Sequence, residues 1–143
     1  MIKLIFVNQA EVPFKEADFT PLLKKAITLL EIPEQEVELV LINNQEIQKI
    51  NQETRGKDEP TDVLSFANRE IEDKMMRDEH SLGQIFISVE TAAKNAAEIE
   101  QSLEEEVKFL FIHGLLHCLG YDHQDSVGEE EMKKMAYQIL GRA

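Results

Sequence analysis

Apolar residues recur at helical spacing between Phe14 and Leu30, where Phe19, Leu22, Leu23, Ala26, Ile27 and Leu30 form one stripe. The pattern predicts an amphipathic helix that Pro33 stops. Before it, residues 2–8 (IKLIFVN) read as a strand, and after it Val37 to Ile42 (VELVLI) is β-branched, apolar and again a strand. Asn44 to Gln52 follows as a helix with Ile47 and Ile50 inward, and 53–60 (ETRGKDEP) is a polar loop punctuated by Gly56 and Pro60. Asp62 to Phe66 and Gly83 to Val89 are two further strands, separated by a charged excursion over 69–81. Thr91 to Gln101 is alanine-rich and helical.

Two more helices carry start signals. Ser102 and Glu105 have capping-box spacing and open a helix that runs to Leu119, with Gly120 as its terminator. Residues 109–119 are apolar on almost every side, so this helix is expected to be central and buried. The same spacing at Ser126 and Glu129 opens a last helix, whose core face is Met132, Met135, Ala136, Ile139 and Leu140. Four strands interleaved with about five helices describe an α+β or α/β sheet domain. The strand order is not legible in this pattern.

A chain of 143 residues fits one domain, 1–143. A chain of this size buries enough surface for a single core without cross-links. Cys118 is the only cysteine, which rules out an internal disulfide and suits a reducing compartment. The apolar run Leu4 to Val7 is too short for a signal peptide, and no stretch reaches the ~18 residues of a membrane span. The expected location is cytoplasmic. The net charge of −13 argues against a general nucleic-acid binder with a basic footprint, though a local basic groove remains compatible. The acidic patches Glu104 to Glu106, Glu129 to Glu131 and Glu70 to Asp73 read as solvated helix starts or loops.

Three of the four histidines fall within HGLLHCLGYDH, His113 to His123. His113 and His117 are one helical turn apart and share a face, about 6 Å apart along the axis. Gly120 permits a left-handed turn that reverses the chain, so that His123 can fold back onto the same ion. Three protein ligands with a fourth position open are the arrangement of catalytic zinc. Three unrelated histidines would each need partners for their ring nitrogens inside an apolar segment. The spacing matches the metzincin pattern except at its glutamate base, where this chain has Gly114. Glycine moves no proton, so peptidase chemistry is disfavoured. The missing side chain either leaves room above the metal or serves close packing. Cys118 points away from the ligand face and reads as a buried core residue, and His80 as an exposed one.

The loop TRGKDEPTDVLSF places Arg55 and Lys57 around Gly56. A guanidinium suits a phosphate, but a solvated turn balanced by Asp58 and Glu59 explains the same composition. Taken together, RGKDEPTDVLSF, LGQIFIS and HGLLHCLGYDH resemble the YbeY family of bacterial metal-dependent endoribonucleases, which are linked to ribosomal RNA maturation and ribosome quality control. The resemblance spans roughly Asn43 to Met135. It implies zinc held by His113, His117 and His123, an active-site arginine at Arg55, and a small mixed sheet of about four strands packed with helices in one α+β hydrolase domain. The family usually has an acid where this chain has Gln84, so a role for that position is in question.

The expectation is therefore a single-strand-preferring endoribonuclease. It would use a zinc-activated nucleophile, with Arg55 at the scissile phosphate and Lys57 guiding the backbone. Asp62 either orients a ligand or Arg55, or makes a strand-start hydrogen bond. The acidic charge implies weak binding to free RNA and a partner, the ribosome or a ribosomal protein, that presents the substrate. Two alternatives are a non-catalytic ribosome-associated zinc protein and a metallohydrolase of another substrate class. Three ligands rather than four favour catalysis.

Overall fold

The computed structural model describes residues 3–32, 35–77, 80–121 and 126–142, with only the backbone of Ser126 and Val127. Four strands, β1 (Lys3–Asn8), β2 (Glu36–Ile42), β3 (Val63–Ala67) and β4 (Ser81–Ser88), form one sheet in the order β1-β2-β4-β3. The β1–β2 and β2–β4 pairings are parallel and β3–β4 is antiparallel, so the sheet is mixed and β3 is an edge. Five helices pack around it: α1 (Glu16–Leu30), α2 (Asn44–Arg55), α3 (Val89–Glu98), α4 (Leu103–Cys118) and α5 (Ser126–Leu140). This is the expected α+β domain.

Alternation along the strands divides the core in two. Val37, Leu39 and Leu41 of β2, with Ile85 and Ile87 of β4, face the larger core, which includes α1, α4 and α5. Val40, Ile42 and Leu64 face the other way, where Ile47 of α2 covers them. On α1 the stripe Phe19, Leu23 and Ala26 is buried, and Phe19 meets Phe111 of α4 edge-on at 5.5 Å between ring centres. Met132, Ala136 and Ile139 bury the matching face of α5.

Several boundaries differ from those expected, for local reasons. Helix α1 begins at Glu16 and ends where Glu31 turns left-handed at φ 52°; Pro33 lies outside the described residues. Helix α2 runs three residues beyond Gln52, so Arg55 belongs to its last turn rather than to a loop, and Gly56 at φ 70° is its cap. The charged excursion holds two short 3-10 turns, Asn68–Glu70 and Lys74–Met76. The start signal at Ser126 falls where side chains lie outside the described residues, but a helix does begin there.

Helix α4 starts as its sequence predicts. Ser102 Oγ accepts from the Glu105 amide at 3.1 Å and Glu105 Oε1 accepts from the Ser102 amide at 3.2 Å. The Ser102 amide, and its hydroxyl donating to the same Oε1 at 3.1 Å, hold the Glu105 carboxyl below its ordinary pKa. The helix ends at Cys118 in a Schellman turn. The Gly120 amide donates to His117 O, and the Tyr121 amide donates to Leu116 O, both at 3.0 Å, with Gly120 at φ 102°. Glu106 departs from the solvated reading: it is buried and takes a hydrogen bond from Gln101 Nε2 at 2.8 Å.

Candidate functional site

The C-terminal half of α4 is buried at 110–112, 114–116 and 118, while His113 and His117 are only half-buried. One helical turn apart, they stand on the side that the sheet does not cover. Both line a cleft of about 250 Å³ that also takes in Asn51, Arg55, Lys57 and Ser65. The cleft follows the free edge of β3, with the end of α2 and its following loop on one flank and α4 on the other. Arg55, Lys57 and two imidazoles, remote in sequence, are thereby gathered at one opening.

Arg55 is fixed from two sides. Its guanidinium carbon lies 5.6 Å from the centre of the Phe66 ring, and Nη2 donates to Ser65 O at 3.3 Å. The segment is solvent-exposed, as the solvated-turn reading has it, but Arg55 within it is anchored. The loop after Gly56 is held as well. Asn51 Nδ2 donates to Glu59 O at 2.9 Å and Gln48 Nε2 to Asp58 Oδ1 at 3.0 Å. Asn51 is buried on the inward face of α2, one turn after Ile47. A polar residue at that spacing was the sequence signal for this anchor.

Behind His117, the excursion contributes two residues, Arg69 and the first member of the acidic patch read as solvated, Glu70. Glu70 Oε1 lies 3.2 Å from His117 Nε2, and Arg69 Nη2 donates to the His117 carbonyl at 3.2 Å. Arg69 thus places a cation at the carbonyl end of α4, where the helix dipole favours it. Phe109 stacks near His113, with ring centres 5.9 Å apart.

The donor chemistry of this face suits a divalent ion such as zinc: two neutral-type nitrogen ligands at one-turn spacing, with a carboxylate at one ring. His123, the expected third ligand, lies outside the described residues, and no set of three His, Cys, Asp or Glu converges among those described. The Schellman turn reverses the chain directly after His117.

The remaining sequence readings resolve one by one. A Cβ built on Gly114 would stand 2.9 Å from Ile85 Cγ2, so this glycine serves close packing of α4 on β4 and does not open space at the cleft. Cys118 is buried away from the cleft, and burial raises its thiol pKa to about 12. Asp62 does not reach Arg55. Its Oδ1 accepts from the Val63 amide at 2.8 Å and its Oδ2 from Asn95 at 3.1 Å, the strand-start role. Gln84 points to the opposite face of the sheet, where its amide donates to Glu38 Oε2 at 3.1 Å. His80 is exposed.

A family model described as Endoribonuclease YbeY matches residues 5–143. The Endoribonuclease YbeY of Alkaliphilus metalliredigens is 40% identical over 145 residues, covering 97% of this chain and 94% of that one. Its counterpart in Heliobacterium modesticaldum is 46% identical over 114 residues, 73% of this chain and 68% of the relative. The solution structure of TM1509 from Thermotoga maritima superposes with a TM-score of 0.63 at 28% identity, covering 99% of this chain and 90% of that one.

Proposed function

The chain belongs to the YbeY endoribonuclease family, and from that premise we propose that its 143 residues form one metal-dependent hydrolase domain that cuts single-stranded RNA at the β3 edge. The observation that carries the reading is the meeting of Arg55 with His113 and His117 at one cleft. His113, His117 and His123 are the proposed ligands and zinc the proposed ion. When bound, such an ion supplies a Lewis acid and lowers the pKa of nearby water.

The rest of the chemistry belongs to the chain. Arg55 binds the scissile phosphate with its planar fork, of which one donor is engaged with Ser65 O, and offsets charge developing in the transition state. Because Phe66 and Ser65 set its pose beforehand, little side-chain entropy is lost on binding. Lys57 adds a point charge for the neighbouring phosphate. Glu70 orients the His117 ring, as carboxylates do for ligating imidazoles. A peptidase reading lacks its base, since position 114 faces Ile85.

Ribosomal RNA is the proposed substrate, met in the cytoplasm and presented by the ribosome or a ribosomal protein. The −13 charge supports a presenting partner, because it weakens capture of free RNA. No described helix is long and apolar enough to cross a membrane. The test is metal removal. Chelation followed by dialysis abolishes cleavage and zinc restores it, while His113→Ala has lost both bound zinc by elemental analysis and cleavage. Full cleavage by metal-free protein refutes the proposal.

A further inference from the structure

On the far side of β3 from the imidazoles, the sheet's second face is only partly covered. Helix α2 closes one end through Ile47, and beyond it a groove of about 580 Å³ lies open. Its floor includes Phe66 of β3 and Phe86 of β4, which meet edge-on at 5.9 Å between ring centres. Ile50 and Thr54 of α2 form one wall, and Ile71 and Met76 of the excursion form the other. Met76 is 73% exposed and Ile71 37%, so the rim of the groove is apolar and open to solvent. The polar end holds Glu38 and Gln84.

We propose that this groove receives an unpaired nucleobase of the RNA strand whose phosphate sits at Arg55. The inference rests on the endoribonuclease reading and adds a base subsite to it. Three observations carry it. First, the groove joins the cleft through one residue pair: Arg55 lines the cleft and lies against Phe66, which floors the groove. A nucleotide whose phosphate is at the guanidinium has its base within reach of the aromatic floor. Second, aromatic rings and arginine planes are the surfaces on which single-stranded bases stack. Third, the charge layout follows a nucleotide. Arg55 and Lys57 line the cleft beside Glu59, while the charged residues that line the groove are Glu36 and Glu38, which repel phosphate, so only the base enters.

The polar end also sets a preference. Gln84 Nε2 donates to Glu38 Oε2, which leaves the other carboxylate oxygen and the Gln84 carbonyl as acceptors. An exocyclic amino group offers two N–H donors, one for each of these acceptors, whereas uracil brings only its N3–H and satisfies one of them. Guanine, adenine and cytosine are therefore favoured over uracil here.

The test uses the full, zinc-loaded chain and 2′-O-methyl single-stranded oligonucleotides, checked to stay intact over the binding measurement. A single 2-aminopurine is walked through the strand. At one register its fluorescence is quenched on binding, and replacing that position with uracil or an abasic site weakens binding about tenfold, the scale of one stacked base. Phe86→Leu keeps the apolar volume and removes the ring, and it abolishes the quenching at that register. Glu38→Gln narrows the gap between amino-bearing bases and uracil. Met76→Ala, at an exposed position that does not threaten folding, weakens the same register. If wild-type protein cleaves RNA but no register quenches, or the three variants leave binding and quenching unchanged, the base subsite is overturned and the nuclease reading stands. That result would instead suit a protein segment as the occupant. If wild-type protein neither binds nor cleaves single-stranded RNA, the nuclease reading fails and the subsite with it.

Discussion

At position 114 a methyl group would stand 2.9 Å from Ile85 Cγ2 and 3.2 Å from Ile85 Cγ1, so the smallest possible addition already collides with the sheet. Gly114→Ala is expected to lose about 1–3 kcal/mol in denaturant unfolding, the usual penalty for overpacking a dense core. Unchanged stability would mean that α4 does not press on β4 as described. The sequence left this glycine between two roles because a missing side chain does not announce which neighbour requires it. Asp62 was ambiguous for a similar reason. Its partner Asn95 lies on α3, and nothing in the local spacing links the two. Arg55 was legible as a phosphate-binding type of residue, but the Phe66 ring that holds it was not, because that contact runs from a helix end to a strand.

At the scale of elements, hydrophobic spacing, alanine content and capping boxes together located the five helices and four strands of the described residues. Ends were less legible. The polar tail of α2, ETR, reads as loop by composition, yet the helix continues to Arg55, where Gly56 at φ 70° caps it. The acidic start of α4 also misled, since Glu106 faces inward where Glu104 and Glu105 do not. Burial raises the Glu106 pKa above its ordinary 4.5, and the charge of Asp62 adds to this, against hydrogen bonds from Asn95 and Gln101. The folded chain then holds this proton more tightly than the unfolded chain. The stability that the group contributes is complete below its unfolded pKa and is lost as pH rises through the raised folded value. Glu106→Gln removes that ionisation. Thermal unfolding scanned from pH 4 to 8 should show the variant gaining on the wild type as pH rises. A gap that stays constant with pH would contradict the assignment.

For the whole molecule, strand order was beyond reading from the sequence, since pairing β4 between β2 and β3 depends on contacts far apart in the chain. That order makes β3 an edge, and the edge makes the cleft. Two imidazoles and an arginine were each legible as chemistry; their convergence was supplied by the topology. The −13 charge sets a further expectation. If Arg55 and Lys57 alone neutralise phosphates, the logarithm of single-stranded RNA affinity should fall with the logarithm of salt at a slope of roughly −1.4. A slope several times steeper would mean that another basic surface engages the strand.

The most direct trial compares cleavage of a single-stranded RNA by the purified zinc-loaded chain and by Arg55→Ala, each first checked for equal metal content. The proposed role predicts a fall in cleavage rate of about 10²–10³-fold with zinc retained, the scale of losing one preorganised donor to the developing charge. Equal rates for the two proteins would contradict it.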